Sequence, residues 1–594
     1  MTDPNETTLF AGRRRWLALG TSAVMMAVLA ACGGDDDGVI LDPGRKPFPL
    51  VETSVAQFHD AMSKGQVSCR DIVQGYLNRI AAYDKDASAA FPSSPALRSV
   101  ILANPNALAE ADALDRRYFG SGRLAGPLHC VPVIVKDNVD TADMPTTAGS
   151  LVMAANQPPD DAYIVKNIKA KGAIIIAKAN LDEFAFGFGG ASALGGRVAN
   201  AYIPANSPGG SSSGTGTAVA ASFAMIGVGT DTGGSVRVPS AVEGLFGIRP
   251  TLRLVSQDGI VPLAHSQDTA GPMCRAVADC ALLLDAMVGY DASPFSGQRT
   301  AKAFDAPLVA NAAEYAAVAK VPASYTAELK ADGLKGARIG VVRAMFPAAT
   351  ASNQAFLDTL EAALAKMREA GAIVEDVTME DNRAVIGAAS APIEGNPGSF
   401  ASLSAYEFTA DLTAYLSSWA STTDNHLRST QAVAAALAAY PAEAVVLRSF
   451  QSYLANDAAM ADTSTAAYRT WQRNLKPRDA YVIPRVQAAL DNVDFSTGAA
   501  KGTAYDVLVY PVLQGFNGAS VNSGSNNRLS PFSGFPAMAF PAGFAKATAA
   551  APVAEPVAFE MLGREFAEGT LIRLGHAWEM AARPRVAPPT TPEL

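Results

Sequence analysis

From Ser207 to Ser240 the chain reads SPGGSSSGTGTAVAASFAMIGVGTDTGGSVRVPS. Two glycine- and serine-rich loops, Gly209 to Gly216 and Thr230 to Arg237, flank a helical pattern at Ala218 to Ala224 and a strand pattern at Met225 to Val228. Small residues let the backbone pack closely and leave N–H groups free to converge on a developing negative charge. The serines add hydroxyls that become nucleophiles once a base takes their proton. Upstream, the apolar run VPVIV (Val131 to Val135) ends in Lys136. A lysine that closes a buried strand loses the hydration of its ammonium, and its pKa falls toward the value a general base needs near neutral pH.

Other readings of the Gly/Ser segment meet obstacles. A phosphate-binding loop of the form GxxxxGK[ST] needs a lysine after its glycines, and none follows here. Gly210-Ser211-Ser212-Ser213-Gly214 fits the letters of a GxSxG elbow, but Pro204 to Pro208 make no preceding strand, so its context fails. A flexible linker would not be interrupted by AVAASFAMIGVG. None of the five histidines, His59, His129, His265, His426 and His576, falls in these loops, so a base other than histidine is readily accommodated. No CxxC pair or Cys/His cluster suggests a metal, and Cys69, Cys130, Cys274 and Cys280 read as ordinary buried thiols, the last two on one helix.

Positioning these residues requires alternating helices and short strands. Amphipathic helical patterns cover about 53–64, 68–86, 160–171, 353–370 and 565–582. Buried-strand runs stand at Val131 to Val135, Ala173 to Ala177, Ala337 to Val342, Ala372 onward and Asp506 to Pro511. Between about 385 and 500 the chain is alanine-rich and helical. This alternation predicts an α/β protein with a single large α/β/α domain, a central mixed β-sheet flanked by helices. Gly33 to Pro49 reads as a flexible tether. The expected layout is a signal segment at 1–31, the tether at 32–52, the domain at 53–583 and a tail at 584–594.

The whole pattern resembles the amidase signature family of serine hydrolases. Val131 to Asn138 (VPVIVKDN) matches the family's lysine segment, the GGSS loop matches its second serine at Ser211, and GTDTGGS matches its nucleophile at Ser235. The separations agree, 24 residues from Ser211 to Ser235 and 99 from Lys136 to Ser235. The resemblance implies a Ser–cis-Ser–Lys triad of Ser235, Ser211 and Lys136, with Ser211 on a cis peptide after Gly210. It implies an oxyanion hole from the N–H groups of Thr232, Gly233, Gly234 and Ser235, and support from Gly210, Ser212, Asp231 and Arg237, with Ser213 as a further hydrogen-bonding loop residue. AKANLDEFA (Ala177 to Ala185), SQDTAGPM (Ser266 to Met273) and SGFPAMAFPAG (Ser533 to Gly543) also look familial, SQDTAGPM most like peptide amidases, which remove C-terminal amides. AFEMLG (Ala558 to Gly563) departs from the usual GLQLIG. The implied activity is hydrolysis of a peptide or small aryl or alkyl amide with water as second substrate and no cofactor or metal. The alternatives are an esterase or carbamate hydrolase on the same site, a non-catalytic binding module and one component of a glutamine amidotransferase.

With 49% hydrophobic and 17% charged residues, the composition excludes disorder over most of the length. The net charge of −9 argues against a nucleic-acid partner. Arg13 to Arg15 precede the sixteen-residue apolar stretch Trp16 to Ala31, too short for a typical membrane span and laid out as a signal peptide. LAAC (Leu29 to Cys32) resembles a bacterial lipobox, whose cysteine is acylated and becomes the first mature residue; RRRWL resembles a twin-arginine signal without its flanking polar residues. Gly33 after the cysteine, in place of the aspartate associated with inner-membrane retention, points to an outer-membrane anchor facing the periplasm. Mass spectrometry of the mature N-terminus is expected to find a diacylglyceryl adduct on Cys32; a chain retaining residues 1–31 would overturn this.

Overall fold

β-Branched runs become the central strands. The computed structural model describes residues 48–594 apart from 91, 303–305, 388–402, 420–426, 470, 472–477 and 522; Cys32 and the signal segment lie outside the described residues. In chain order the strands are β1 (Val100–Ala103), β2 (Pro132–Lys136), β3 (Ile174–Ala179), β4 (Ala191–Ser192), β5 (Gly196–Arg197), β6 (Ile226–Asp231), β7 (Phe246–Arg249), β8 (Thr269–Cys274), β9 (Arg338–Val341), β10 (Ile373–Asp376), β11 (Val507–Pro511), β12 (Ala537–Ala545) and β13 (Glu555–Leu562). β4 and β5 form a small hairpin; the rest make one 11-stranded sheet in the order β1-β3-β2-β6-β8-β7-β12-β13-β11-β9-β10. It is mixed. β3, β2 and β6 run parallel, as do β11, β9 and β10, while the strands from β6 through β8, β7, β12 and β13 to β11 pair antiparallel. Helices cover the sheet, so β2, β3 and β6 are buried at every residue, as parallel strands are when both faces are packed.

The expected helices form with trimmed ends, at Val55–Ser63, Cys69–Tyr83, Tyr163–Ala170, Gln354–Glu369 and Glu568–Ala582. Ser54 and Ser68 cap the first two, each accepting from the third helical N–H while that residue's side chain returns the bond. In the alanine-rich region, Ser404–Ser418, Thr430–Leu437, Ala444–Met460 and Ile483–Asp491 are helical. β8 was not legible because Gly271 and Pro272 interrupt its apolar pattern. The glycine is there because Ile248 O, on β7, occupies the place a side chain would take.

Two sequence expectations are corrected. Cys274 ends β8 while Cys280 lies on the helix Val277–Met287, and the two are disulfide-bonded with their Cα atoms 5.6 Å apart. Cys69 and Cys130 are likewise bonded, Cα to Cα 5.2 Å. His129 joins them as a group close enough to hold a metal. However, His129 Nδ1 accepts the Ala125 N–H at 3.1 Å, which places the proton of the neutral ring on Nε2, facing Cys69. The ring thus offers a hydrogen there, where a metal needs a lone pair.

The domain boundaries are also wider. Residues 48–52 and 584–594 belong to the compact unit that begins at Phe48. Buried Arg79 donates to Ala221 O and Ser222 O at 2.9 and 2.8 Å and to Thr591 O and Pro592 O at 2.7 and 2.8 Å, clamping the C-terminal strap beside the helix Ser213–Ala220. Arg585 pairs with Glu52 at 2.7 Å. Two arginines with several donors each turn both ends of the domain into a clasp.

Peptide mapping without reductant is expected to show Cys69–Cys130 and Cys274–Cys280 linked. Because the first closes a separation of 61 residues, its loss is expected to lower stability by about 4 kcal/mol in chain-entropy terms, measured by urea unfolding of the Cys69→Ser/Cys130→Ser variant.

Candidate active site

β2 delivers Lys136 to the sheet's interior, and strand alternation sends the next residue, Asp137, the other way to pair with Lys178 at 3.5 Å. Lys136 has no exposed surface. Its Nζ lies 2.6 Å from Ser211 Oγ and 2.8 Å from Thr230 Oγ1. Burial pushes Lys136 down to about 7 against the opposing pull of Asp182, Asp231 and Asp268. A neutral amine suits this setting: one N–H reaches Thr230 Oγ1, which also accepts from Asn138 Nδ2 at 3.1 Å, and the lone pair is left for the Ser211 hydroxyl.

The first glycine-serine loop enters the helix Ser213–Ala220, and its Gly210–Ser211 peptide is cis, as the resemblance implied. Ser212 Oγ bridges to β6, donating to Thr230 O at 3.1 Å and accepting from Thr230 N at 3.2 Å. Ser213, expected to hydrogen-bond, has a buried hydroxyl with no partner. The Ser212 N–H donates to Ser235 O at 3.2 Å, so the two loops are stitched main chain to main chain. Ser235 is 5% exposed. No hydrogen bond joins the Ser211 and Ser235 hydroxyls.

Beneath Ser235 lies a buried ion network. Asp231 Oδ2 accepts from Arg237 Nε at 3.0 Å, and Arg249 Nε approaches Oδ1 at 3.2 Å. Arg237 Nη1 forks onto Glu560 at 2.7 and 2.8 Å, and Tyr510 donates to the same carboxylate at 2.7 Å. Burial alone would raise Asp231, but the two guanidiniums outweigh it and hold it below the ordinary carboxylate range. The Gly234 N–H donates to Asp231 Oδ1 at 2.7 Å and the Val236 N–H to Oδ2 at 3.1 Å. This narrows the expected oxyanion hole. Gly234 is already committed to the aspartate, whereas the N–H groups of Thr232, Gly233 and Ser235 make no such bond. Gly234 sits at φ +135°, open to glycine alone, and a side chain there would also meet Asn527.

Sequence reasoning missed Thr230, Asp182, Arg249, Asn527 and Glu560 as site residues. Asn527 anchors the nucleophile loop: its side chain donates to Gly233 O and its carbonyl accepts from Arg237 Nη2 at 2.8 Å. Glu560 had a signal, a carboxylate inside the apolar AFEMLG, since a charge in a buried strand implies a partner. Among the described residues no histidine is hydrogen-bonded to Ser235. His265 is held down at about 4 by burial, then by Arg299, and so is neutral.

The helical region closes over this end of the sheet. The His265 N–H donates to Asp411 at 2.8 Å and Tyr415 donates to Asp140 at 2.7 Å. Glu443 accepts from Ser150 Oγ and the Leu151 N–H at 3.1 and 2.8 Å. A cavity of about 450 Å³ lies here, walled in part by Asp258, His265, Asp411, Tyr415 and Trp419. It shares Gln257, Ile260, Pro262 and His265 with a small void beside Thr230 and Thr232.

The sequence model of the amidase family, described as Amidase, matches residues 71–572. The chain belongs to the amidase family. The native peptide amidase of Stenotrophomonas maltophilia superposes with TM-score 0.70 at 31% identity, covering 91% of this chain and 99% of that one. A peptide amidase bound to the competitive inhibitor chymostatin gives TM-score 0.72 at 31% identity, covering 91% and 100%. One component of the glutamyl-tRNA(Gln) amidotransferase of Acinetobacter baumannii (strain AYE) is 34% identical over 343 residues, 57% of this chain and 62% of its own length. The match thus spans less than two thirds of that curated relative.

Replacing Arg237 by methionine leaves Asp231 and Glu560 buried without their shared cation. Urea denaturation of Arg237→Met is expected to show a loss of about 3–5 kcal/mol, with the nucleophile loop losing its brace.

Proposed function

We propose that this amidase family member hydrolyses a carboxamide through an acyl-enzyme on Ser235, with Lys136 as base and Ser211 as the proton carrier between them. The observation that carries the reading is the desolvated Lys136 Nζ standing 2.6 Å from Ser211 Oγ. Neutral Lys136 takes the Ser211 hydroxyl proton as Ser211 takes that of Ser235, and Ser235 Oγ bonds to the substrate carbonyl carbon. The N–H groups of Thr232, Gly233 and Ser235 stabilise the resulting oxyanion, at about 3 kcal/mol for each well-placed donor. As the C–N bond breaks, Ser211 gives a proton to the leaving amine and recovers one from the Lys136 ammonium. Water then enters by the same relay and releases the acid.

Similarity to peptide amidases over almost their full length supports peptide or small amides as the substrate class. The lipobox-like LAAC supports export and anchoring in the cell envelope, a setting that disfavours a role within a tRNA-dependent amidotransferase. Matched amide and ester substrates test the bond preference: faster relative turnover of the amide supports an amidase, and activity confined to esters or carbamates would replace it.

Activity is expected to rise with pH through an apparent pKa of about 7, because Lys136 works deprotonated and loses its proton there. Ser235→Ala should abolish turnover and labelling by a fluorophosphonate probe. Lys136→Ala and Ser211→Ala should each cost several orders of magnitude and the double variant little more, since members of one relay are not additive. Probe labelling at Ser212 would overturn the assignment.

A further inference from the structure

The mechanism above gives no role to Asp182, a buried carboxylate whose main chain is bonded to the Ser211 loop. Asp182 follows β3 at a chain reversal and is 7% exposed. Its main-chain N–H donates to Ser211 O at 3.1 Å. Its Oδ1 accepts the N–H groups of Gly189 and Gly190 at 2.8 and 2.9 Å. Its Oδ2 has no close hydrogen-bond donor and sits where a side chain at residue 210 would have to be, so Gly210 is the residue that lets the serine loop lie against it. We propose that Asp182 is a positioning residue of the relay, holding the Ser211 loop through its main chain and setting the protonation of Lys136 through the charge of its carboxylate.

Three carboxylates bear on Lys136, and they differ in how far their charge is already answered. Asp231 is paired with Arg237 and Arg249. Asp268 accepts from the Thr232 hydroxyl and from the N–H groups of Leu263 and Ala264 at 2.8 and 3.0 Å. Asp182 has no arginine: burial pushes it up to about 6, against the main-chain N–H groups of Gly190 and Gly189 and then the nearby Lys136, which hold it down. Of the three it opposes most the burial that pushes Lys136 down. The same side chain therefore does two jobs that must agree: it fixes where Ser211 stands, and it keeps the ammonium from becoming so unstable that the lysine loses its basicity. A lysine desolvated without such a counter-charge would be neutral at every working pH but a feeble acceptor.

This inference rests on Lys136 being the base, and the two fail differently. The test is the pH dependence of kcat/KM for wild type, Asp182→Asn, Asp182→Ser and Asp182→Glu, with thermal melts to establish folding. If Lys136 is not the base, the wild-type profile lacks its acidic limb near 7. If Lys136 is the base and Asp182 sets its protonation, removing the negative charge makes the ammonium less stable, so the limb moves to lower pH. A displacement of about one pH unit is expected for Asn and Ser, from the loss of one nearby opposite charge, with Glu returning it toward wild type. A purely structural aspartate would lower kcat without moving the limb. A folded Asn or Ser variant whose limb stays in place overturns the proposal, and so does a set in which only the Glu variant folds, for that assigns Asp182 to stability alone.

Discussion

An arginine side chain with no exposed surface is the constraint on which the active site rests. Arg237 binds Asp231, at the end of β6, to Glu560, within β13, across the sheet's antiparallel middle. Burying three ionised groups is expensive, and it is tolerated only because the guanidinium fork, Tyr510, Arg249 and the main-chain N–H groups of Gly234 and Val236 satisfy nearly every lone pair. The loop bearing Ser235 is tied down by this network through Gly234 and Val236. Its path then decides which N–H groups are spent on Asp231 and which are not.

The contrast between Arg237 and Lys136 follows from chemistry. Both lie buried near the end of β6, yet the guanidinium is paired bidentately and stays charged, whereas the lysine is surrounded mainly by hydroxyls and sheds its proton near 7. Thr230 and Ser211 present oxygens that a neutral amine can use in both directions, one accepting its hydrogen and one donating to its lone pair. One site thus contains a permanent cation and a titratable one. The division is set by partners, since depth is the same for both.

Away from the site, stability comes from different means at different edges. Disulfides fasten the helix Cys69–Tyr83 to the approach to β2 and join β8 to its following helix. Arg79 and Arg585 fasten the termini. The helical region docks through its carboxylates, Glu407, Asp411 and Glu443, onto the segments around Ser150 and Ser266. Burial and the neighbouring Glu443 carboxyl push Glu183 upward, so that where these two carboxyls meet Glu183 holds a proton.

The parallel parts of the sheet, and the segments that carry Lys136, Ser211 and Ser235, are written in the local patterns of the chain. Apolar runs ending in a lysine, and glycine-serine loops interrupted by a helix and a strand, are such patterns, and burial of β2, β3 and β6 follows from them directly. The lysine's loss of its proton was legible for the same reason, since a charge at the end of such a run must be desolvated. The rest comes from tertiary packing. Glu560 and Asn527 reach Ser235's loop across 323 and 290 positions, and no spacing reveals that they brace it. The Gly234 N–H turned out to be spent on Asp231, because a carboxylate fixed by two arginines sits beneath it. Cys274 and Cys280 meet because β8 ends between them, a strand hidden by its own glycine and proline. Local composition fixes what each segment can become; which lone pairs and N–H groups remain free is settled only when distant strands are packed and their charges paired.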